Sequence, residues 1–149
     1  MEGKVKGARE AAFRVLNRVE GGDAFADILL MKETDGLSTL DAGLATEIVY
    51  GVLRWKMRLD YTIDLFASLK TKKLEHRVLN ALRVGAYQLL FLGRVPASAA
   101  INESVKLLRK DGPRKTGFVN AVLRKIDSER ASVAFPQTGS RERRVSIEF

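Results

Sequence analysis

Apolar residues recur every three to four positions along most of the chain, as far as about residue 130. The first stripe is followed by two glycines, Gly21 and Gly22, and consists of Ala8, Ala12, Val15, Leu16 and Val19. This spacing places the apolar side chains on one face of an α-helix, and a glycine can end that helix in a left-handed conformation. The pattern predicts five or six amphipathic helices, and no segment before Ala131 alternates as a strand would.

Polar capping residues and prolines mark where the later helices begin. Asp23 can cap a short helix, and Ser38 followed by Asp41 is typical of a capping box at the start of a longer one. Proline is common in the first turn of a helix, and Pro96 and Pro113 introduce the last two helices. The predicted segments are 24–31, a stretch from Ser38 that bends near 57–60, 74–92, and the two helices that follow these prolines.

The character of the sequence changes after residue 130. A polar, linker-like segment leads to a final run in which Val145, Ile147 and Phe149 alternate with polar residues, as in a β-strand. A strand at this position has no pairing partner in an otherwise helical chain. We therefore expect a helical domain over 1–130, and a linker with the first strand of a missing catalytic domain over 131–149. The alternative is a tail that packs on its own helices or stays disordered.

Four short motifs carry a resemblance to a known family. Ile101 to Val105 reads I-N-E-S-V, and after a basic loop Phe118 to Leu123 reads F-V-N-A-V-L. This pairing resembles the NusB family of RNA-binding helical domains. Two further motifs, Y-G-V-L-R-W at Tyr50 to Trp55 and L-R-V-G-A-Y-Q-L-L at Leu82 to Leu90, resemble the amino-terminal domain of the ribosomal RNA cytosine methyltransferases called RsmB or Sun. The similarity runs from about residue 8 to residue 130.

The resemblance implies an all-α, NusB-like bundle of about six or seven helices. It also implies that the domain binds and orients small-subunit ribosomal RNA, while a carboxyl-terminal domain of the same protein transfers a methyl group from S-adenosylmethionine to carbon-5 of cytosine. The implied partners are ribosomal RNA and that methyltransferase domain. Two alternatives remain open: a stand-alone transcription antitermination factor that binds RNA together with a ribosomal protein, and a helical protein-interaction scaffold.

Charge is distributed unevenly along the chain. The net charge is +8, but residues 21–64 contain eight acids and four bases, whereas residues 65–130 contain fourteen bases and five acids. Such segregation favours a surface that faces a polyanion, most often nucleic acid. The alternative is that these lysines and arginines only solvate helix surfaces.

Two groups of basic residues are candidate RNA contacts. One is a basic arm before and at the start of the first helix, where the NusB family has an arginine-rich arm that contacts RNA. The other surrounds the Gly-Pro turn between the last two helices, where cations can bind phosphates. An ordinary frayed terminus would also account for the arm. The candidates are Lys4, Lys6 and Arg9 in the arm and Arg109, Lys110, Arg114 and Lys115 around the turn.

The chain lacks the groups that cytosine methylation requires. It has no cysteine to supply a thiolate, no Gly-rich loop after a strand to hold S-adenosylmethionine, and one histidine, His76, which we interpret as a solvated helix residue. We therefore expect no catalytic residue, cofactor or metal in these residues, and S-adenosylmethionine only in the full-length protein. No apolar run has the length of a transmembrane helix, and the amino terminus has no secretion signal, so we expect a cytoplasmic protein without membrane contact.

Three further interpretations concern polar and aromatic side chains near the helical stripes. Asn120 is flanked by apolar residues and is predicted to be a buried amide bonded to backbone. Arg54 is predicted to form an internal ion pair with Glu47 or Asp60. The tyrosines, Trp55 and Phe91 are predicted to be scattered interhelical anchors and not a platform for base stacking.

Overall fold

The structure is a computed structural model that describes residues 7–19 and 25–132. This part of the chain contains seven α-helices and no strand, which confirms the all-α prediction. The helices are α1 (Ala8–Arg18), α2 (Ala26–Glu33), α3 (Thr39–Arg54), α4 (Lys56–Phe66), α5 (His76–Phe91), α6 (Ala97–Lys106) and α7 (Pro113–Glu129). Short 3-10 turns lie at Thr71–Lys73, Arg109–Asp111 and Arg130–Ser132.

Helix α5 forms the centre of the bundle. Every residue from Val78 to Leu89 is buried, because α1, α3, α4, α6 and α7 all pack against this helix. A helix surrounded on all sides needs apolar side chains all round, and most of the α5 sequence supplies them. Each of the other helices buries one face in the core, although α2 also exposes the apolar side chains of Ile28 and Met31.

Two glycines allow neighbouring helices to approach α5 closely. A Cβ atom at Gly51 would lie 2.0 Å from Cζ of Tyr87, and a Cβ atom at Gly85 would lie 2.5 Å from Cδ1 of Leu123. Both distances are far below van der Waals contact, so no larger residue fits without displacing the facing side chain. The Y-G-V and V-G-A segments of the sequence motifs therefore lie at close contacts between helices.

The buried polar residues of α5 form a network with α4 and α1. Arg83, which is 8% exposed, donates to both carboxylate oxygens of Asp60 at 2.8 and 2.7 Å. Arg83 also donates to Asn80 at 3.2 Å, and the Asn80 amide donates to Asn17 at 2.8 Å. Because each residue of this network has a partner within it, the network joins three helices without leaving the charge of Arg83 uncompensated.

The two acids named as possible partners of Arg54 pair with other arginines. Asp60 binds Arg83, which extends from the facing helix, and Glu47 binds Arg94. The guanidinium of Arg54 instead lies 5.2 Å from the ring centroid of its neighbour Trp55.

Several predicted helix boundaries move by a few residues. The predicted Ser38 cap is confirmed, since its side chain accepts from the Asp41 backbone N–H at 3.1 Å. The expected bend near residues 57–60 lies earlier, at Trp55, which ends α3 and precedes α4. The short second helix begins at Ala26 and not at residue 24. Helix α5 begins at His76 and not at residue 74, because a 3-10 turn precedes it.

Some sequence predictions fall outside the described residues. These are the roles of Lys4 and Lys6, the glycine stop at Gly21 and Gly22, the cap at Asp23, and the linker and strand beyond residue 132. Among the helices that the structure describes, none is long and apolar enough to cross a membrane.

Candidate nucleic-acid interface

Two ion pairs tie the amino-terminal end of α5 to the segment between α6 and α7. Arg77 donates from Nε and Nη2 to the two carboxylate oxygens of Asp111 at 2.9 and 2.8 Å. The Nζ atom of Lys115 lies 2.7 Å from Oε1 of Glu75. The 3-10 turn that carries Asp111 and the first turn of α7 are therefore fixed against the start of α5.

The Arg77–Asp111 pair is the more enclosed of the two. The Asp111 side chain is 12% exposed, and the hydrogen bond from Arg77 lowers the pKa of this carboxyl. The same bond raises the pKa of Arg77. The Arg77 guanidinium also lies 5.2 Å from the ring centroid of Phe13 on α1. Both charges of the pair are therefore present at neutral pH, and the pair joins three elements.

Three of the predicted RNA contacts project from this fixed segment. Arg109 and Lys110 are exposed on the 3-10 turn, and Arg114 is exposed in the first turn of α7. The amino terminus of a helix favours anions over cations, so the position of Arg114 is unfavourable until an anion lies beside it. Lys115 differs from the prediction, because it is half-buried and paired with Glu75 and does not extend freely from a loop.

The cations of α1 are held by partners within the bundle. Arg14 binds Glu10 at 2.8 Å and Glu33 at 3.4 Å, and Arg18 approaches Glu33 at 3.5 Å. The predicted contact Arg9 donates from Nε to Gln88 at 2.9 Å. The basic stripe of the first helix is therefore largely committed to contacts within the protein.

Arg9 and the loop cations do not lie together. Arg9 contacts Gln88, whereas the loop contacts Arg77, eleven residues earlier on the same helix. At 1.5 Å of rise per residue the two contact points lie roughly 16 Å apart along α5. The structure therefore separates the two groups of candidate residues.

Within the described residues, only some lysines and arginines lack a hydrogen-bond acceptor or a carboxylate partner. They are Lys32, Lys56, Lys72, Lys73, Arg109, Lys110, Arg114 and Lys125. Most of them lie in two 3-10 turns and the first turn of α7. Sequence reasoning missed Lys72 and Lys73, although the run K-T-K-K directly before an amphipathic helix was a visible signal.

The prediction for Asn120 is wrong. Its side chain is half-buried, and its Oδ1 atom accepts from Arg124 Nε at 3.1 Å, one turn further along α7. Residues four apart on a helix are neighbours on its surface. The Asn120 side chain therefore bonds to Arg124 on the surface of α7 and not to a buried backbone group.

The aromatic residues at the ends of α3 and α5 form a cluster. Phe91 stacks on Trp55 and Tyr87, with centroid distances of 5.1 and 5.2 Å, and Arg58 lies 5.5 Å from the Phe91 centroid. The prediction that the aromatic residues are scattered is therefore wrong for Trp55, Tyr87 and Phe91. Their packing confirms that these three are interhelical anchors, whereas Tyr61 is 44% exposed. Burial lowers the pKa of Arg58 and raises the pKa of Tyr87, as expected for groups enclosed by such a cluster.

The remaining polar candidates lie on the surface. His76 is exposed, as predicted. Asn102 is also exposed, and Glu103 pairs with Lys106 at 3.4 Å. Among the described residues, no three potential metal-ligating side chains lie close together.

Comparison with known proteins gives a family for this bundle. Residues 6–128 match the family described as the NusB family. The chain is also 31% identical over 128 residues to the transcription antitermination protein NusB of Bacillus licheniformis, with 85% of this chain and 98% of that protein covered.

Other relatives are much longer than this chain. It is 36% identical over 129 residues to a probable ribosomal RNA small subunit methyltransferase B of Bacillus subtilis, which covers 85% of this chain and 29% of that protein. It is 37% identical over 122 residues to ribosomal RNA small subunit methyltransferase B of Pseudomonas putida, which covers 81% of this chain and 28% of that protein. The chain thus spans less than a third of the methyltransferase relatives that it matches.

Proposed function

The chain belongs to the NusB family, and we propose that it is an RNA-binding domain whose phosphate contacts lie at the amino-terminal end of α5. The observation that carries this proposal is the concentration of unpartnered cations there. Arg109, Lys110 and Arg114 lie on a segment held by two ion pairs, whereas the α1 arginines already have partners. Arginine and lysine that need not break a protein contact are best suited to bind phosphate oxygens.

We propose further that this domain serves an S-adenosylmethionine-dependent ribosomal RNA methyltransferase of the cytoplasm. The names and lengths of the relatives from Bacillus subtilis and Pseudomonas putida support this role. In such a protein the helical domain grips and orients small-subunit ribosomal RNA, and a separate domain binds S-adenosylmethionine and methylates carbon-5 of a cytosine. The chain itself contains no cysteine to form the required covalent bond to the base.

A second candidate function is transcription antitermination. It is supported by the relative from Bacillus licheniformis, of which the chain covers 98%. In this case the same basic surface would bind RNA alongside a small ribosomal protein. The reading frame beyond Phe149 distinguishes the two candidates: a strand, a Gly-rich loop and Pro-Cys motifs favour the methyltransferase.

The test of RNA binding is the triple variant Arg109→Gln/Lys110→Gln/Arg114→Gln. We expect the wild-type chain to bind RNA with a Kd of about 10⁻⁴ to 10⁻⁶ M at physiological salt. The measurement is filter binding over a range of salt concentrations, from which log K for RNA binding is plotted against log salt. The slope should be less steep by about 2 to 3 in the variant, because each lost phosphate contact reduces the slope by about 0.7 to 0.9.

The matched control is Lys32→Gln/Lys56→Gln/Lys125→Gln, which removes the same charge from exposed lysines elsewhere. Its slope should stay close to the wild-type value. Equal effects of the two triple variants would show that net charge alone binds the RNA, and an unchanged slope in the loop variant would refute the proposed surface.

A further inference from the structure

The 3-10 turn Thr71–Lys73, which precedes α5, presents two exposed lysines at the same end of the bundle as the loop cations. We propose that Lys72 and Lys73 form a second phosphate-binding group of the RNA surface, and that Asp64 and Thr71 are the positioning residues that hold it. This inference rests on the proposed RNA-binding function, and it extends that function to a segment that the family motifs do not include.

The turn is anchored from its buried side. Asp64 in α4 accepts from the Thr71 backbone N–H at 2.7 Å and from the Thr71 hydroxyl at 3.2 Å. Thr71 is 9% exposed, and Lys70 donates from Nζ to the Asp64 carbonyl at 3.0 Å. The chain is therefore folded back on the last turn of α4, and the turn has a defined position although its lysines face solvent.

The lysines are free to bind a ligand. Neither Lys72 nor Lys73 has a carboxylate or hydrogen-bond partner among the residues that the structure describes. An ammonium group without a protein partner can approach a phosphate without first breaking an ion pair.

The two groups of cations lie near each other because both segments that carry them are joined to the start of α5. Lys73 is two residues before Glu75 and four before Arg77, and these two side chains bind Lys115 and Asp111 on the other segment. The turn before α5 and the segment before α7 are therefore neighbours, each fixed by a carboxylate: Asp64 for one and Asp111 for the other. Such an arrangement suits a ligand with a series of phosphates, as in an RNA backbone, better than a single anion.

The first test removes the two charges. Lys72→Gln/Lys73→Gln should make the slope of log K against log salt less steep by about 1.4 to 1.8, and should weaken binding about tenfold or more at low salt. The control Lys56→Gln/Lys125→Gln removes the same charge from other exposed, unpartnered lysines and should have little effect. A fluorescein-labelled RNA hairpin and a single strand of the same composition should be titrated separately, because the slope per contact is larger for the duplex.

The second test asks whether the loss of the Asp64 carboxylate strengthens or weakens RNA binding. Asp64→Ala makes the protein more positive, so general electrostatic attraction predicts tighter RNA binding. The positioning role predicts weaker binding, because the turn loses both acceptors that hold Thr71. Thr71→Val leaves the charge unchanged and removes the hydroxyl bond alone, so it should weaken binding in the same direction by a smaller factor. In the Lys72→Gln/Lys73→Gln background, Asp64→Ala should cause no further loss.

The outcomes separate this inference from the function on which it rests. In one outcome the salt slope of RNA binding becomes less steep in the triple variant of Arg109, Lys110 and Arg114, while the slope of Lys72→Gln/Lys73→Gln equals that of its control. The second phosphate-binding group is then refuted and the RNA-binding function stands. If the wild-type chain binds neither RNA, the function itself is refuted. Tighter binding by Asp64→Ala would overturn the positioning role, and circular dichroism of each variant verifies that it is folded.

Discussion

Asp111 is the residue on which the geometry of the proposed interface depends most. Its carboxylate accepts both hydrogen bonds from Arg77 and lies in the turn that carries Arg109 and Lys110. A bidentate arginine–carboxylate pair fixes direction as well as distance. The acidic residue in an otherwise basic loop therefore orients its cations.

We predict that Asp111→Asn lowers the free energy of unfolding by roughly 1 kcal/mol at pH 7. Arg77 lowers the pKa of Asp111 in the folded protein, so the carboxylate contributes stability above its unfolded pKa of about 3.9 and loses that contribution as the pH falls through the lower folded value. Urea unfolding of both proteins should show a difference that shrinks below about pH 4. Asp35→Asn, at an exposed acid, serves as the control. A difference that is the same at pH 7 and pH 3 would contradict the role of this pair.

At the scale of elements, close helix contacts depend on glycines whose role the periodicity of the sequence does not reveal. Gly43 and Gly51 occupy the same helix, α3, but have opposite surroundings. Among the described residues, no atom outside the local backbone lies within 4 Å of a Cβ placed at Gly43, whereas at Gly51 the ring of Tyr87 occupies that space.

We predict opposite effects of alanine at these two positions. Gly51→Ala should destabilise the protein by about 1 to 3 kcal/mol, because the added methyl group overlaps Tyr87. Gly43→Ala should stabilise it by up to about 1 kcal/mol, because alanine favours the helix and meets no neighbour. Thermal or urea unfolding of the two variants measures both changes. Stabilisation by Gly51→Ala would mean that α3 and α5 are further apart than described.

The helices themselves could be predicted from the sequence, because apolar spacing and capping residues are local signals. The Ser38 cap and the exposure of His76 are confirmed in this way. The break at Trp55 and the late start of α5 could not be placed, because they depend on contacts between helices. Asn120 was misassigned because its flanking apolar residues indicate burial, while its partner Arg124 is set by the helix surface.

At the scale of the whole molecule, the separation of acidic and basic halves along the sequence does not carry over directly to the folded surface. Bases from the carboxyl-terminal half pair with acids from the amino-terminal half, as in Arg83 with Asp60 and Arg94 with Glu47. The candidate RNA residues could be chosen by sequence, but which of them are free could not, because pairing is a property of the folded bundle. Of the eight unpartnered cations in the described residues, five lie near the amino-terminal end of α5, where we propose that RNA binds.

Exposed apolar residues on α2 and α4 form an alternative candidate for the functional surface, in place of the basic end of α5. Phe25, Ile28 and Met31 are exposed around α2, at 67, 65 and 76%, and Met57 and Tyr61 are exposed on α4, at 62 and 44%. Exposed apolar patches mark sites for protein partners more often than for phosphates. If the chain were a protein-interaction scaffold, these faces and not the basic end of α5 would be its functional surface.

The most direct measurement of the central claim is an amide NMR titration of the chain with small-subunit ribosomal RNA fragments. We predict that the amides that shift or broaden at low RNA concentration lie at residues 70–77 and 109–116, and that their response weakens as salt is raised. Amides of α2 and of the outward face of α4 should not respond. Perturbation centred on α2 or α4, with residues 70–77 and 109–116 unaffected, would contradict an RNA surface at the amino-terminal end of α5.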